Sequence, residues 1–204
     1  MIEFFVSAFI VYFVVIDPVG NAPIFLSITT HLNKRQKIRV AIEGTFYATV
    51  IMLFFSLCGV WVLQYLKITL TAFRLAGGII LLLVALDMLT NKRQVRKEQG
   101  NDTMSNDENI AIFPLATPLL AGPAAITSVM VIASNETGNL QIFIGYGALG
   151  AVMLLTSIIL IFTGLCEDYI NPRITSVFSR ITGIILAGLS IQYIIDGFSA
   201  LGII

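Results

Sequence analysis

The sequence predicts an all-α integral membrane protein of six transmembrane helices, arranged as two inverted three-helix repeats with discontinuous helices 1 and 4. Three observations predict it. The chain is strongly apolar, with runs long enough to cross a bilayer; a set of short motifs recurs at an offset of 100 to 106 residues; and five of the six prolines fall in two of the apolar runs.

Hydrophobic residues make up 57% of the 204 residues and charged ones only 12%, with a mean hydropathy of +0.91, outside the composition of a soluble domain. Crossing a hydrocarbon core of about 30 Å takes about 20 apolar residues. Runs that meet this lie at about 4–30, 42–65, 73–90, 110–133, 140–165 and 180–201. The first run lacks a basic leader and a small-residue cleavage pattern, so it reads as a span and not as a signal peptide.

The 12 basic residues balance the 12 acidic ones, but they are unevenly placed. Lys34, Arg35, Lys37 and Arg39 follow span 1, Lys92, Arg93, Arg96 and Lys97 follow span 3, and Arg173 and Arg180 precede or open span 6. Only Lys67 and Arg74 fall on the other side. The positive-inside tendency then makes the first set cytoplasmic and puts both termini outside.

The polar stretch between spans 3 and 4 is the natural divider, giving a first repeat at 1–95, a cytoplasmic linker at 96–108 and a second repeat at 109–204. Pro18 and Pro23 recur as Pro118 and Pro123. Leu57-Cys58-Gly59 has a counterpart in Phe162-Thr163-Gly164, and Arg74-Leu75-Ala76-Gly77 in Arg180-Ile181-Thr182-Gly183. Three matches in the same order indicate a duplicated unit. An odd number of spans per unit forces the second unit in from the opposite side. In such pairs, ligand sites gather where the units meet near the midplane.

That directs attention to spans 1 and 4. Proline removes a backbone donor and clashes with the preceding turn, and glycine adds freedom. Asp17-Pro18-Val19-Gly20-Asn21-Ala22-Pro23 is therefore expected to interrupt span 1, and Pro118-Leu119-Leu120-Ala121-Gly122-Pro123 to interrupt span 4. At 1.5 Å per residue, Asp17 falls roughly 20 Å from the outer face and Pro118 roughly 12 Å from the inner one, so the two breaks can meet. Unwound backbone survives at that depth only when buried in protein or lining a wet cavity.

Asp17 is the strongest single candidate, because a carboxylate at the bilayer centre costs about 2.5 to 3.5 kcal/mol on insertion scales. It can hold a proton, a cation or a substrate ammonium, which makes it the candidate for ion or proton coupling. Asn21 supplies an amide one turn on, while Thr117, Thr127 and Ser128 supply hydroxyls around the second break. With Pro18, Gly20, Pro23, Pro118, Gly122 and Pro123 they form the expected substrate-binding set. Helix N-termini opened by the breaks suit a carboxylate and freed carbonyls suit an ammonium, so a small zwitterion matches both ends.

Other polar residues read as structural. Cys58 and Cys166 sit near opposite membrane ends and are not expected to pair. His31 lies beside the basic cluster after span 1. Glu43 stands four residues from Arg39, and Asp87 and Asp196 lie near span ends. No metal site, cofactor, catalytic group or nucleic-acid partner is expected.

At Asp17 to Pro23, and at Pro114-Leu115-Ala116-Thr117-Pro118-Leu119-Leu120-Ala121-Gly122-Pro123, the chain resembles the MarC family of bacterial inner-membrane proteins, whose first and fourth spans carry DPxGNxP and PLxxPLLxGP-like segments. The resemblance covers essentially the whole chain. It implies a multi-pass protein of the cell inner membrane, related to transporters of small neutral amino acids such as glycine and alanine, with ion coupling. Two other classes compete. A passive channel of the aquaporin kind also has inverted three-span units, but breaks its chain after the second span of each unit, with asparagine directly before proline. An intramembrane enzyme needs a nucleophile with a base or two paired aspartates, and neither pattern is present in the spans.

Overall fold

The computed structural model describes residues 1–90, 110–135, 139–166 and 172–201. The linker expected at 96–108 lies outside the described residues. All regular structure among the described residues is helical: α1 (Ile2–Ile16), α2 (Pro18–Ile28), α3 (Lys34–Tyr65), α4 (Leu70–Leu89), an interrupted α5 (Ala111–Leu120), α6 (Pro123–Asn135), α7 (Asn139–Leu165) and α8 (Pro172–Ala200). Among the described residues, five stretches are long and apolar enough to span a bilayer: Ile2–Ile28, Lys34–Tyr65, Leu70–Leu89, Leu140–Leu165 and Ser176–Ala200. The fourth expected run is split between α5 and the shorter apolar helix Pro123–Ala133.

Helix ends follow local chemistry. Asn33 caps α3 with a reciprocal capping box, its Oδ1 accepting from the Gln36 N–H and Gln36 Oε1 accepting from the Asn33 N–H, both at 3.0 Å. This cap carries α3 well before the apolar run starts at residue 42. Thr69 caps α4 by accepting from the Ala72 N–H at 3.1 Å. Between them Lys67 adopts φ 57°, and the Ile68 N–H donates to the Leu63 carbonyl at 2.9 Å, a Schellman-type closure.

The interior holds Phe25, Ile16, Met52, Leu81, Leu115, Leu120 and Leu160, all fully buried. The exterior is just as apolar: Phe46, Phe54, Leu57, Trp61, Leu154 and Phe162 are exposed. Helices that are hydrophobic all round belong in lipid, where such a surface costs nothing.

Helix pairing follows a regular scheme. α4 packs on α8 and α3 on α7; α1 packs on α7 as α5 packs on α3; α2 packs on α7 and α8 as α6 packs on α3 and α4. Small residues bring the backbones together, as in membrane interfaces generally. Gly59 of α3 admits the side chain of Met130 from α6. Gly164 of α7 admits Phe25 from α2, whose Cε1 lies 3.4 Å from where a glycine Cβ would stand. α4 and α8 run antiparallel, with Leu75 against Gly197, Gly78 against Ile194, and Ala85 and Met88 against Gly183.

The α4–α8 crossing leaves no room for a methyl group. A Cβ on Gly78 would lie 2.9 Å from the Ser190 carbonyl oxygen and 2.7 Å from Ile194 Cγ1, whereas one on Gly150 would meet nothing within 4 Å. Backbone cannot step aside cheaply, so Gly78→Ala is expected to cost about 1–3 kcal/mol. Thermal unfolding of the purified protein in detergent should show a clear loss for Gly78→Ala and none for Gly150→Ala.

Candidate functional site

The break in the first span is one residue long. α1 ends at Ile16, Asp17 takes up the left-handed conformation at φ 48°, ψ 64°, and α2 starts at once with Pro18. The sequence suggested an interruption running from Asp17 to Pro23; instead α2 continues through Pro23 to Ile28. Pro18 explains the early restart. At the first position of a helix its missing N–H is not needed and its fixed φ is already helical.

Side chains rebuild the helical bonds that the break removes. The Gly20 N–H, which in an unbroken helix would bond the Ile16 carbonyl, donates to Asp17 Oδ1 at 3.1 Å. The freed Ile16 carbonyl accepts from Asn21 Nδ2 at 2.7 Å. The Asp17 N–H still reaches the Phe13 carbonyl at 2.9 Å, and the Asn21 N–H reaches the Asp17 carbonyl at 3.0 Å, so α1 and α2 are spliced end to end. Asp and Asn tolerate left-handed backbone better than other residues with a Cβ and lead among N-caps. Both positions in this motif are thus chosen by the break itself.

The site is dry of bulk solvent. Asp17 is 2% exposed, Asn21 0%, and Pro18 and Gly20 are buried. Asn21 Oδ1 is buried and accepts no hydrogen bond from the described residues. Since its amide nitrogen is committed to Ile16, this acceptor is available to a donor from a ligand.

The wall of the break comes from α8. A Cβ on Gly20 would collide with Asp17 Oδ2 and with Ser179 Oγ, so the carboxylate lies across the glycine toward that serine. The buried Thr182 hydroxyl is 3.5 Å from Asp17 Oδ1; it is also 3.1 and 3.0 Å from the Phe178 and Ser179 carbonyls of its own helix. Ser179 and Thr182 were missed in the sequence reading. Thr182 stood in a matched motif, but a hydroxyl in an apolar helix is usually spent on its own backbone, as the Thr156 hydroxyl is on the Val152 carbonyl at 2.7 Å.

The second break has a different construction. α5 is not one continuous helix: its backbone is extended at Phe113 (φ −134°, ψ 124°) and Thr117 (φ −130°, ψ 124°). Each precedes a proline, Pro114 and Pro118, and a residue before proline is pushed out of the α region. The chain leaves helical geometry at Ala121 and Gly122 and resumes at Pro123, the first residue of α6. α5 packs chiefly on α3, where Gly44 admits Leu115. Each break is walled mainly by intact helices, the first by α7 and α8 and the second by α3 and α4.

The remaining residues of the expected set separate accordingly. Thr117 and Gly122 are half-buried at the second break, and Pro123 is exposed. The Thr127 hydroxyl donates to the Pro123 carbonyl at 2.8 Å while its methyl group fills the space over Gly77, which makes it a packing residue between α6 and α4. Ser128 is fully buried, and its Oγ has no hydrogen-bond partner among the described residues. Pro23 is half-buried within α2. The group the structure assembles is therefore Asp17, Pro18, Gly20 and Asn21 with Ser179 and Thr182.

Arg39 Nε pairs with Glu43 Oε1 at 2.7 Å, Gln192 Nε2 donates to Asp196 Oδ1 at 2.7 Å, and Cys58 and Cys166 are free thiols.

A family model described as MarC family integral membrane protein matches residues 2–201. A UPF0056 membrane protein of Methanocaldococcus jannaschii is 34% identical over 203 residues, covering 98% of this chain and 89% of the relative. A second from the same organism is 33% identical over 198 residues, covering 96% of each. One from Aquifex aeolicus is 31% identical over 205 residues, covering 97% of this chain and 93% of its own. No solved structure matches.

Proposed function

The chain belongs to the MarC family of integral membrane proteins, and from that premise we propose that it is a secondary transporter of small solutes, specifically of small neutral amino acids such as glycine and alanine, coupled to a proton or sodium gradient. The observation that carries this reading is the buried break of the first span, where the Asp17 carboxylate lies one turn from the unoccupied acceptor Asn21 Oδ1. Four oxygen-bearing side chains, Asp17, Asn21, Ser179 and Thr182, suit an ammonium group or a hard cation. A membrane protein keeps a carboxylate in such a place for a ligand, an ion or a proton far more readily than for packing.

Two inverted three-helix repeats, 1–95 and 109–204, underlie this reading. The exchange scheme of helix contacts supports them, with α2 on α7 matched by α6 on α3. So does the pair Gly59–Met130 and Gly164–Phe25, since both glycines and both partners are 105 residues apart. Packing of this symmetry suits a cycle in which one unit rocks against the other around a fixed midplane site. The basic residues favour a cytoplasmic end at the start of α3 and the end of α7, with both chain termini periplasmic in the inner membrane.

Counterflow tests the proposal. Purified protein in liposomes loaded with unlabelled glycine or alanine should accumulate the labelled amino acid with saturation. Flux that rises linearly with concentration would mean a channel, and an absence of flux for every small amino acid tried would overturn the substrate assignment.

A further inference from the structure

A second polar locus lies apart from the break, between α1, α3, α6 and α7. Tyr12, Ser56, Ile132, Gln141 and Tyr146 line a cavity of about 10 Å³ there. Ser56 is 6% exposed, and its Oγ is buried without a hydrogen-bond partner among the described residues. Ser128 Oγ is in the same state, whereas Thr45 and Thr156 satisfy theirs on the carbonyl four residues back, at 2.8 and 2.7 Å, and Ser190 on Ala187 at 2.6 Å. A hydroxyl left unpaired in the interior costs about 1–3 kcal/mol. The Tyr12 side chain, 2% exposed, lines the cavity together with Tyr146.

A void of about one water-sized sphere, with two to four polar partners, is what a buried water needs. An apolar occupant such as a lipid chain would leave Ser56 unpaired, and the lining carries no charge to hold an ion. We infer that this cavity is a water site, its single water held by Ser56 Oγ and the phenols of Tyr12 and Tyr146 and tying α1, α3 and α7 together. Tyr12 precedes Asp17 on the same span by five residues, about 7.5 Å at a helical rise. That separation is too long for a hydrogen bond, so the water acts as a structural tie between the helices, apart from the transport reading.

Radiolytic hydroxyl-radical labelling of the purified full chain tests the water independently of transport, so either idea can fail without the other. Radicals made from a water in the cavity attack its lining even where bulk solvent is excluded. Tyr12 should be modified several-fold faster than Phe25, which is 0% exposed and does not line the cavity. Ser56→Val, which replaces the hydroxyl with methyl groups, should bring Tyr12 down to the rate of Phe25. Should that variant not fold, Ser56→Ala should move the rate in the same direction. Tyr12 reacting no faster than Phe25 in the native chain, or at an unchanged rate in the folded variant, overturns the inference.

Discussion

Asp17→Asn is expected to leave the protein folded and to abolish accumulation of labelled glycine and alanine. The substitution separates charge from structure unusually well. Asparagine caps a helix about as strongly as aspartate and also tolerates left-handed backbone, so the Gly20 N–H keeps an acceptor and the splice between α1 and α2 survives. What disappears is the negative charge. A hydrogen bond to a charged group is worth about 1.5–3 kcal/mol, so affinity for an ammonium or a cation should fall by roughly 10- to 150-fold. Thermal unfolding and counterflow on the same preparation check both halves. A variant that still transports at the native rate would remove Asp17 from the cycle; one that fails to fold would give the residue a structural role only.

Gly20→Ala is expected to destabilise the protein by about 0.5–4 kcal/mol and to stop transport as well. Helix propensity alone argues the other way, because alanine in a helix interior is favoured over glycine by about 1 kcal/mol. The added methyl, however, would occupy the space of Asp17 Oδ2 and Ser179 Oγ and lie 2.7 Å from Asp17 Cγ. The carboxylate must then swing away. That forfeits a cap worth about 0.5–2 kcal/mol and adds an overpacking cost of about 1–3 kcal/mol. A melting temperature equal to or above that of the native chain would show that the carboxylate has another place to go.

The helices and the positions of the breaks were legible in the sequence because both rest on strong local rules. Apolar length fixes where spans fall, and proline fixes where a helix must restart: Pro18 and Pro123 each begin a helix, and Phe113 and Thr117 are extended because a proline follows. The extent of the first break was not legible. Two prolines and a glycine over seven residues suggest a long unwound stretch, whereas Asp17 and Asn21 close the gap with their own side chains within a single residue. Nor was the wall of the site legible. Ser179 and Thr182 meet Asp17 only through tertiary packing, and the repeat motif that holds Thr182 marks the start of an apolar run without showing what its hydroxyl faces. Thr127 shows the converse, a hydroxyl near a break in sequence whose proton goes to its own helix and whose methyl group goes to Gly77.

Protection of an introduced thiol tests most directly whether ligand binds between Asp17 and α8. In a chain with Cys58 and Cys166 replaced by serine, Ser179→Cys puts a reactive group where Ser179 Oγ faces Asp17 and Gly20. Its rate of modification by a small methanethiosulfonate should fall, with saturation, as glycine or alanine is added, and the slowing should vanish when Asp17→Asn is also present. A rate unchanged at concentrations that saturate counterflow would place the substrate elsewhere and contradict the site.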